Sequence, residues 1–261
     1  MQPFGAGSPV FAHDYWLAPA TYRPAVGDKF DVRLLVGDKF VSELERSLQK
    51  PRTVSFRLVD KDGKARDLLR SGRKDQKPVA QLVLPGQGTF VLAMQRDWAV
   101  IEMKAKKFHE YLEHEGLQRV IQLRKATGEA DKPAKERYRR YLKSVLRGDG
   151  VASSTWRRRL GHKLEILPLE DPSGVTPGDS LPVRVLFQSK PLVGAQVSVF
   201  GRQGKKVTVH AALTDARGHV SLKIDHPGEW VVRLVHLRRC PEKKKADWES
   251  FWSAMTFGVT G

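Results

Sequence analysis

Residues 23–36, "RPAVGDKFDVRLLV", and residues 174–187, "GVTPGDSLPVRVLF", decide how this chain is divided. Each passes from a proline through Gly-Asp into an alternating apolar run, with Val-Arg at matching places: Val32-Arg33 and Val183-Arg184. Alternation with period two is the mark of a strand with one buried face. Two such entries far apart in one chain predict two related β modules.

Working outward, "TVSFRLVD" alternates and turns at "DKDG", and "AQLVLP" leads through "GQG" to "TFVLAMQ" and "WAVIEM". After a Gly/Ser-rich stretch, "RGDGVASS", β character returns in "KLEILPL", "LPVRVLF", "AQVSVF", "KKVTVHAAL", "HVSLKI", "EWVVRLVHL" and "MTFGVT". Short apolar runs cut by Gly, Pro and Asp suit antiparallel sandwiches. "FVSELERSLQKPR", between the first strands, is expected to be loop or a short helical turn.

From 106 the period changes. Phe108, Tyr111 and Leu112, then Leu117, Val120 and Ile121, fall at helical spacing, as do Tyr138, Tyr141, Leu142, Val145 and Leu146. A last helix is therefore expected after Pro133, with Asp131 as its N-cap. The predicted fold is mainly β: two antiparallel Ig-like or transthyretin-like sandwiches, at 13–105 and 151–261, around a helical insertion at 106–150.

The 261 residues include 46 basic and 29 acidic ones, a net charge of +17. Such a chain attracts anionic surfaces of any kind. The positive charge is dispersed, and no zinc-finger spacing, RNP-like strand or base-reading helix-turn-helix is present, so no specific nucleic-acid partner is expected. No apolar run reaches the ~20 residues of a membrane-spanning helix. The single Cys240 precludes an internal disulfide. There is no Walker spacing and no nucleophile elbow, and no catalytic residue is assigned.

"MQPFGAGSPVFA" lacks the basic and continuous apolar regions of a signal peptide, yet "VFA" ends as a signal-peptidase site does. Cleavage after Ala12 would leave His13 as the N-terminus. Its α-amine and imidazole could then chelate nickel, cobalt or copper, which favour nitrogen donors. His236 at the end of "WVVRLVH" could supply a second imidazole, and Asp14 an oxygen ligand or an acceptor behind one. His162 in "GHKLEI" and Glu249 in "DWESFW" are further candidate ligands. The same residues allow another arrangement, in which His13 and Asp14 form polar pairs that lock the first strand while Tyr15 and Trp16 enter the core. His109 and His114, five apart, do not make a helical zinc motif.

Five phrases in this order, "AHDYWLAP", "FHEYLEHEGL" with "KERYRRYLKS", "GHKLEILPLEDP", "KPLVGAQVSVF…TDARGHVSLKIDHPGEWVVRLVH" and "ADWESFWSAMTFGV", resemble an exported bacterial family with an "AHDFWL"-type start and a domain of unknown function. Its members are often labelled the periplasmic component of a cobalt or nickel transport system. The second module also resembles the carboxypeptidase-regulatory β-sandwich. The resemblance implies a periplasmic or exported, non-enzymatic metal-binding protein working with membrane components of an uptake system. Two other functions stay open: a copper-dependent oxidoreductase built on an N-terminal histidine, and a basic envelope or adhesion module without metal.

Overall fold

The computed structural model describes residues 13–150 and 152–261. The cleavage position expected after Ala12 lies outside them. The chain is mainly β. Its first half runs β1 (Asp14–Pro19), β2 (Phe30–Asp38), β3 (Val41–Arg46), β4 (Thr53–Val59), β5 (Ala65–Asp67), a one-turn α1 (Leu68–Ser71), β6 (Ala80–Leu82), β7 (Thr89–Arg96) and β8 (Ala99–Met103). Helices α2 (Ala105–His114) and α3 (Gln118–Ala126) precede β9 (Ala134–Arg147). The second half contains β10 (Leu164–Pro168), β11 (Ser180–Phe187), β12 (Lys190–Pro191), β13 (Gln196–Gln203), β14 (Lys206–Leu213), β15 (His219–Lys223), β16 (Gly228–Arg239) and β17 (Trp248–Val259).

The repeated Gly-Asp phrase opens equivalent strands. β2 has β1 on one side and β3 and β6 on the other, and β11 is likewise flanked by β10 and by β12 and β15. Val32 faces Pro19 and Ala80 across its neighbours, while Val183 faces Pro168 and Val220. In both turns the glycine has positive φ, +92° at Gly27 and +100° at Gly178, and the next amide closes the turn (Asp28 N to Ala25 O, Asp179 N to Thr176 O). Nothing lies near the missing Cβ at either position, so backbone conformation alone selects glycine.

The remaining strands form one nine-stranded sheet in the order β14-β13-β16-β17-β9-β7-β4-β5, with β8 pairing along the start of β9. The order is equivalent from either end. β4, β5, β7 and β9 correspond to β13, β14, β16 and β17, and the two halves join through the parallel pair β9–β17. A two-fold axis along the strands exchanges the halves and turns the sheet over, so the two small sheets pack on opposite faces. Leu142 and Leu146 of β9 accordingly point into the core under the N-terminal small sheet, and Tyr141 and Val145 into the core under the C-terminal one.

The helix expected after Pro133 is a correction. Residues 134–147 are the central strand β9, the last strand of the first sandwich. Its apolar positions also fit a helical stripe. However, ladders on both sides and burial of both faces outweigh the modest helical preference of Arg, Lys and Leu. The helical part of the expected insertion is thus α2 and α3, which precede β9 and cover the face shared with the N-terminal sheet. There Phe108, Tyr111, Leu112, Val120 and Ile121 pack on Val235, Leu237, Trp248 and Trp252. "VSELER", expected to be loop or helical turn, is strand β3. Among the described residues no helix is long and apolar enough to cross a membrane.

Candidate anion-binding pocket

The five residues expected around one metal ion occupy separate places. His13 extends from the start of β1, its Nε2 3.0 Å from Glu43 Oε2 on β3. Asp14 points into the interior and meets Arg233 of β16 at 2.6 Å. Arg233 also holds Glu115 through two bonds of 2.6 and 3.0 Å, and His114 Nδ1 lies 3.1 Å from Glu115 Oε1. Asp14 therefore locks the first strand, and Trp16 is core. Burial pushes the Asp14 carboxyl up to about 6 against the pull of Arg233. For Glu115, burial is outweighed by Arg233 and His114, and its pKa lies below the usual value.

His236 does not meet His13. Along β16, Arg233 and Val235 face the side carrying β1 and the helices. His236 faces the other side, its ring 4.3 Å from Phe187 and 6.4 Å from Phe251. Burial, reinforced by Arg238, lowers its pKa to about 4. Strand alternation separates the two histidines by the thickness of the sheet. His162 is buried against Tyr141, 5.1 Å between ring centres, and neither ring nitrogen has a hydrogen-bond partner. Burial, then Lys143 and Arg57, lower its pKa to about 3.

Glu249 is fully buried and already occupied. Arg137 donates to Oε2 from Nε and Nη2 at 3.0 and 2.6 Å, and Arg238 donates to Oε1 at 2.7 Å. Among the described residues no group of three or more His, Cys, Asp or Glu side chains could hold a metal ion. The donors present, His13 with Glu43, fall short of a complete shell.

A different site is built from residues that no local motif marks. Where the edge of the N-terminal sheet meets the large sheet lies a pocket of about 390 Å³. Arg46 of β3, Arg52 of the turn before β4, Arg96 at the end of β7 and Arg140 of β9 converge there with Gln49, Asp97, Ala99, Tyr15 and Tyr138. Arg96 and Arg140 are each 8% exposed. Arg96 donates to Thr53 Oγ1 at 3.1 Å and to Gln49 Oε1 at 2.6 Å. The Arg140 guanidinium lies over Tyr15 and Tyr138, 4.1 and 4.6 Å from the ring centres, and Nη2 donates to the His13 carbonyl at 3.3 Å. Nε of Arg140 and Nε of Arg46 are buried without partners.

Asp97 is the single acid in the lining, and Arg139 outside it takes that carboxylate at 2.8 Å. The pocket thus concentrates positive charge with little internal compensation. Arg96 registers it: burial first, then Arg140, Arg52 and Arg46, outweigh the opposing Tyr15 and lower its pKa to about 10. A guanidinium resists deprotonation strongly, so this direction reports first the cost of burying the cation and second its like-charged neighbours. Sequence reasoning missed the site because Arg96 and Arg140 lie dozens of residues from each other and from the Arg46–Arg52 segment. Arg46 fell in an expected loop and Arg140 in an expected helix. The available signal was global, the excess of basic over acidic residues.

Fold and site together define a protein of two fused β-sandwiches with an arginine-lined cleft at one edge. The chain belongs to the family described as a domain of unknown function, DUF4198, whose model matches residues 10–238. No curated protein matches. Among solved structures, the three N-terminal domains of the bacteriophage RB49 highly immunogenic outer capsid protein (Hoc) match at 10% identity with a TM-score of 0.20. That match covers 94% of this chain and 59% of the other, so this chain spans less than two thirds of it. At that score the likeness bears on neither fold nor function.

Proposed function

We propose that this chain is a non-enzymatic binding protein whose ligand is an anion held by Arg46, Arg52, Arg96 and Arg140. One observation carries the reading: four guanidinium groups line one pocket whose only carboxylate is engaged elsewhere. Like charges brought together in a partly dry site destabilise one another, and an oxyanion relieves this through short charge-assisted hydrogen bonds. The Nε atoms of Arg46 and Arg140 are buried without partners, so the donor capacity of these two arginines is not used up within the chain. An exported setting, implied by the family resemblance, belongs to the same proposal.

Calorimetric titration with phosphate or sulfate at low ionic strength tests it. Binding should weaken as salt is added and fall at least about tenfold in Arg96→Gln, which loses a charge-assisted contact of ~1.5–3 kcal/mol. Equal affinities for wild type and Arg96→Gln would end the assignment.

A second reading is a nickel, cobalt or copper ion at His13, in connection with uptake. It is supported by the Glu43 carboxylate 3.0 Å from the imidazole. Titration of wild type and His13→Ala with Ni²⁺, Co²⁺ and Cu²⁺ checks it, equal affinities counting against it.

A further inference from the structure

The four arginines of the pocket are not equivalent. Arg96 and Arg140 are buried and oriented, one by Thr53 and Gln49 and the other by its contacts with the Tyr15 and Tyr138 rings. Arg46 is half-buried and Arg52 exposed. Arg52 sits at the end of a one-turn 3₁₀ helix, Lys50–Arg52, which its own amide closes by donating to the Gln49 carbonyl at 2.9 Å. The pocket therefore has a rigid cationic floor and a separate cationic rim.

We infer that the ligand is a compact molecule carrying two oxyanion groups, one held on the floor by Arg96 and Arg140 and the other at the rim by Arg46 and Arg52. The inference rests on the anion-binding reading. A single oxyanion on the floor leaves the rim pair uncompensated; a second one, tethered to the first, meets the rim at high effective concentration. About 390 Å³ is near the small end of ligand cavities, which suits a short spacer. Ala99 is the only aliphatic residue in the lining, and Arg140 occupies a face of each tyrosine, so a long apolar tail has nothing to pack on. Short dicarboxylates and compounds with two phosphoryl groups share this chemistry.

Calorimetry on the full chain at low ionic strength separates the possibilities, with acetate against succinate and phosphate against pyrophosphate as probe pairs. At least one two-group probe should bind about tenfold or more tightly than its single-group counterpart, equivalent to roughly 1.4 kcal/mol. The pair with the larger gain identifies carboxylate or phosphoryl chemistry. Arg52→Ala, at an exposed position where folding is not at stake, should erase that gain by weakening the two-group probe several-fold more than its single-group counterpart. If two-group probes bind no better than single-group ones, or if Arg52→Ala weakens all probes equally, this inference is overturned and the anion reading stands. If no probe binds wild type, both fall.

Discussion

The guanidinium of Arg140 lies 4.1 Å from the centre of the Tyr15 ring, joining the first strand of the N-terminal sheet to the central strand of the large one. It also lies over Tyr138, 4.6 Å from the ring centre, and its Nη2 reaches the His13 carbonyl. Cation–π contacts of this kind contribute ~0.5–2 kcal/mol, more as the cation loses water. Here they also fix the plane in which the Arg140 donors lie.

Removing that clamp should affect binding more than folding. Tyr15→Leu keeps apolar bulk in β1 but frees Arg140 to rotate, so anion affinity should fall about three- to tenfold, as expected for ~0.5–1.5 kcal/mol. Calorimetry beside a thermal melt checks it. A large loss of melting temperature with unchanged affinity would show that Tyr15 is purely structural.

Glu249 ties three neighbouring strands. Its carboxylate on β17 accepts from Arg137 on β9 and Arg238 on β16, its cross-strand neighbours in both ladders. Glu249→Gln leaves Arg137, buried beside it, with only the exposed Glu242, 2.8 Å from its Nη1, as a charged partner. Breaking a buried pair costs about 3–5 kcal/mol. Urea denaturation should show that loss, and a difference below about 1 kcal/mol would mean that the existing Glu242 pair is enough to hold Arg137.

Glu136 gives a pH dependence with a defined sign. Burial pushes its carboxyl up to about 7 from an ordinary value of 4.5, although Ser250 and Tyr111 donate to Oε1. A carboxyl raised in the folded state favours folding below the unfolded pKa, and that contribution is lost as pH rises from about 4.5 to about 7. Glu136→Gln keeps a neutral acceptor for Ser250. The variant should therefore gain on wild type by roughly 3 kcal/mol across that window, measured by denaturation at pH 4 to 8. Parallel curves would place the Glu136 pKa near normal.

His162 works in the opposite direction. Its pKa, lowered to about 3, means that the folded state resists the protonation the unfolded chain accepts near 6.5. Stability linked to it is present above pH 6.5 and is lost as pH falls towards 3. His162→Phe preserves packing on Tyr141 and removes the titration, so it should melt higher than wild type at pH 4 while the two converge more closely at pH 7. Identical acid profiles would exclude His162 from the acid transition.

His236, on the sheet face away from His13, should not contribute to metal binding. His236→Ala should leave affinity for Ni²⁺ or Cu²⁺ within about twofold of wild type in the titration that tests His13. A tenfold loss would require the ion to sit on the C-terminal sandwich.

The repeated Gly-Asp strand entry made the two β modules legible, because a positive-φ turn followed by alternating apolar residues is written locally in the chain. For Asp14 the sequence left two arrangements open, a metal ligand or a polar lock on the first strand with Trp16 in the core, and the ion pair with distant Arg233 supports the second. The segment 134–147 misled because Tyr141, Leu142, Val145 and Leu146 satisfy helical and strand periods at once. Only pairing with β7 and β17 decides between them.

By itself the sequence determined the β class, the related pair of modules, the short helices before residue 127 and the strong positive charge. These follow from local periodicity, turn chemistry and composition, which need no distant partner. The tertiary structure decided that the modules share one sheet through parallel β9 and β17, with His13 and His236 on opposite faces. It also gathered Arg46, Arg52, Arg96 and Arg140 around one pocket. Strand alternation and chain reversal set which distant side chains meet, and neither register nor topology is encoded in any single stretch of residues.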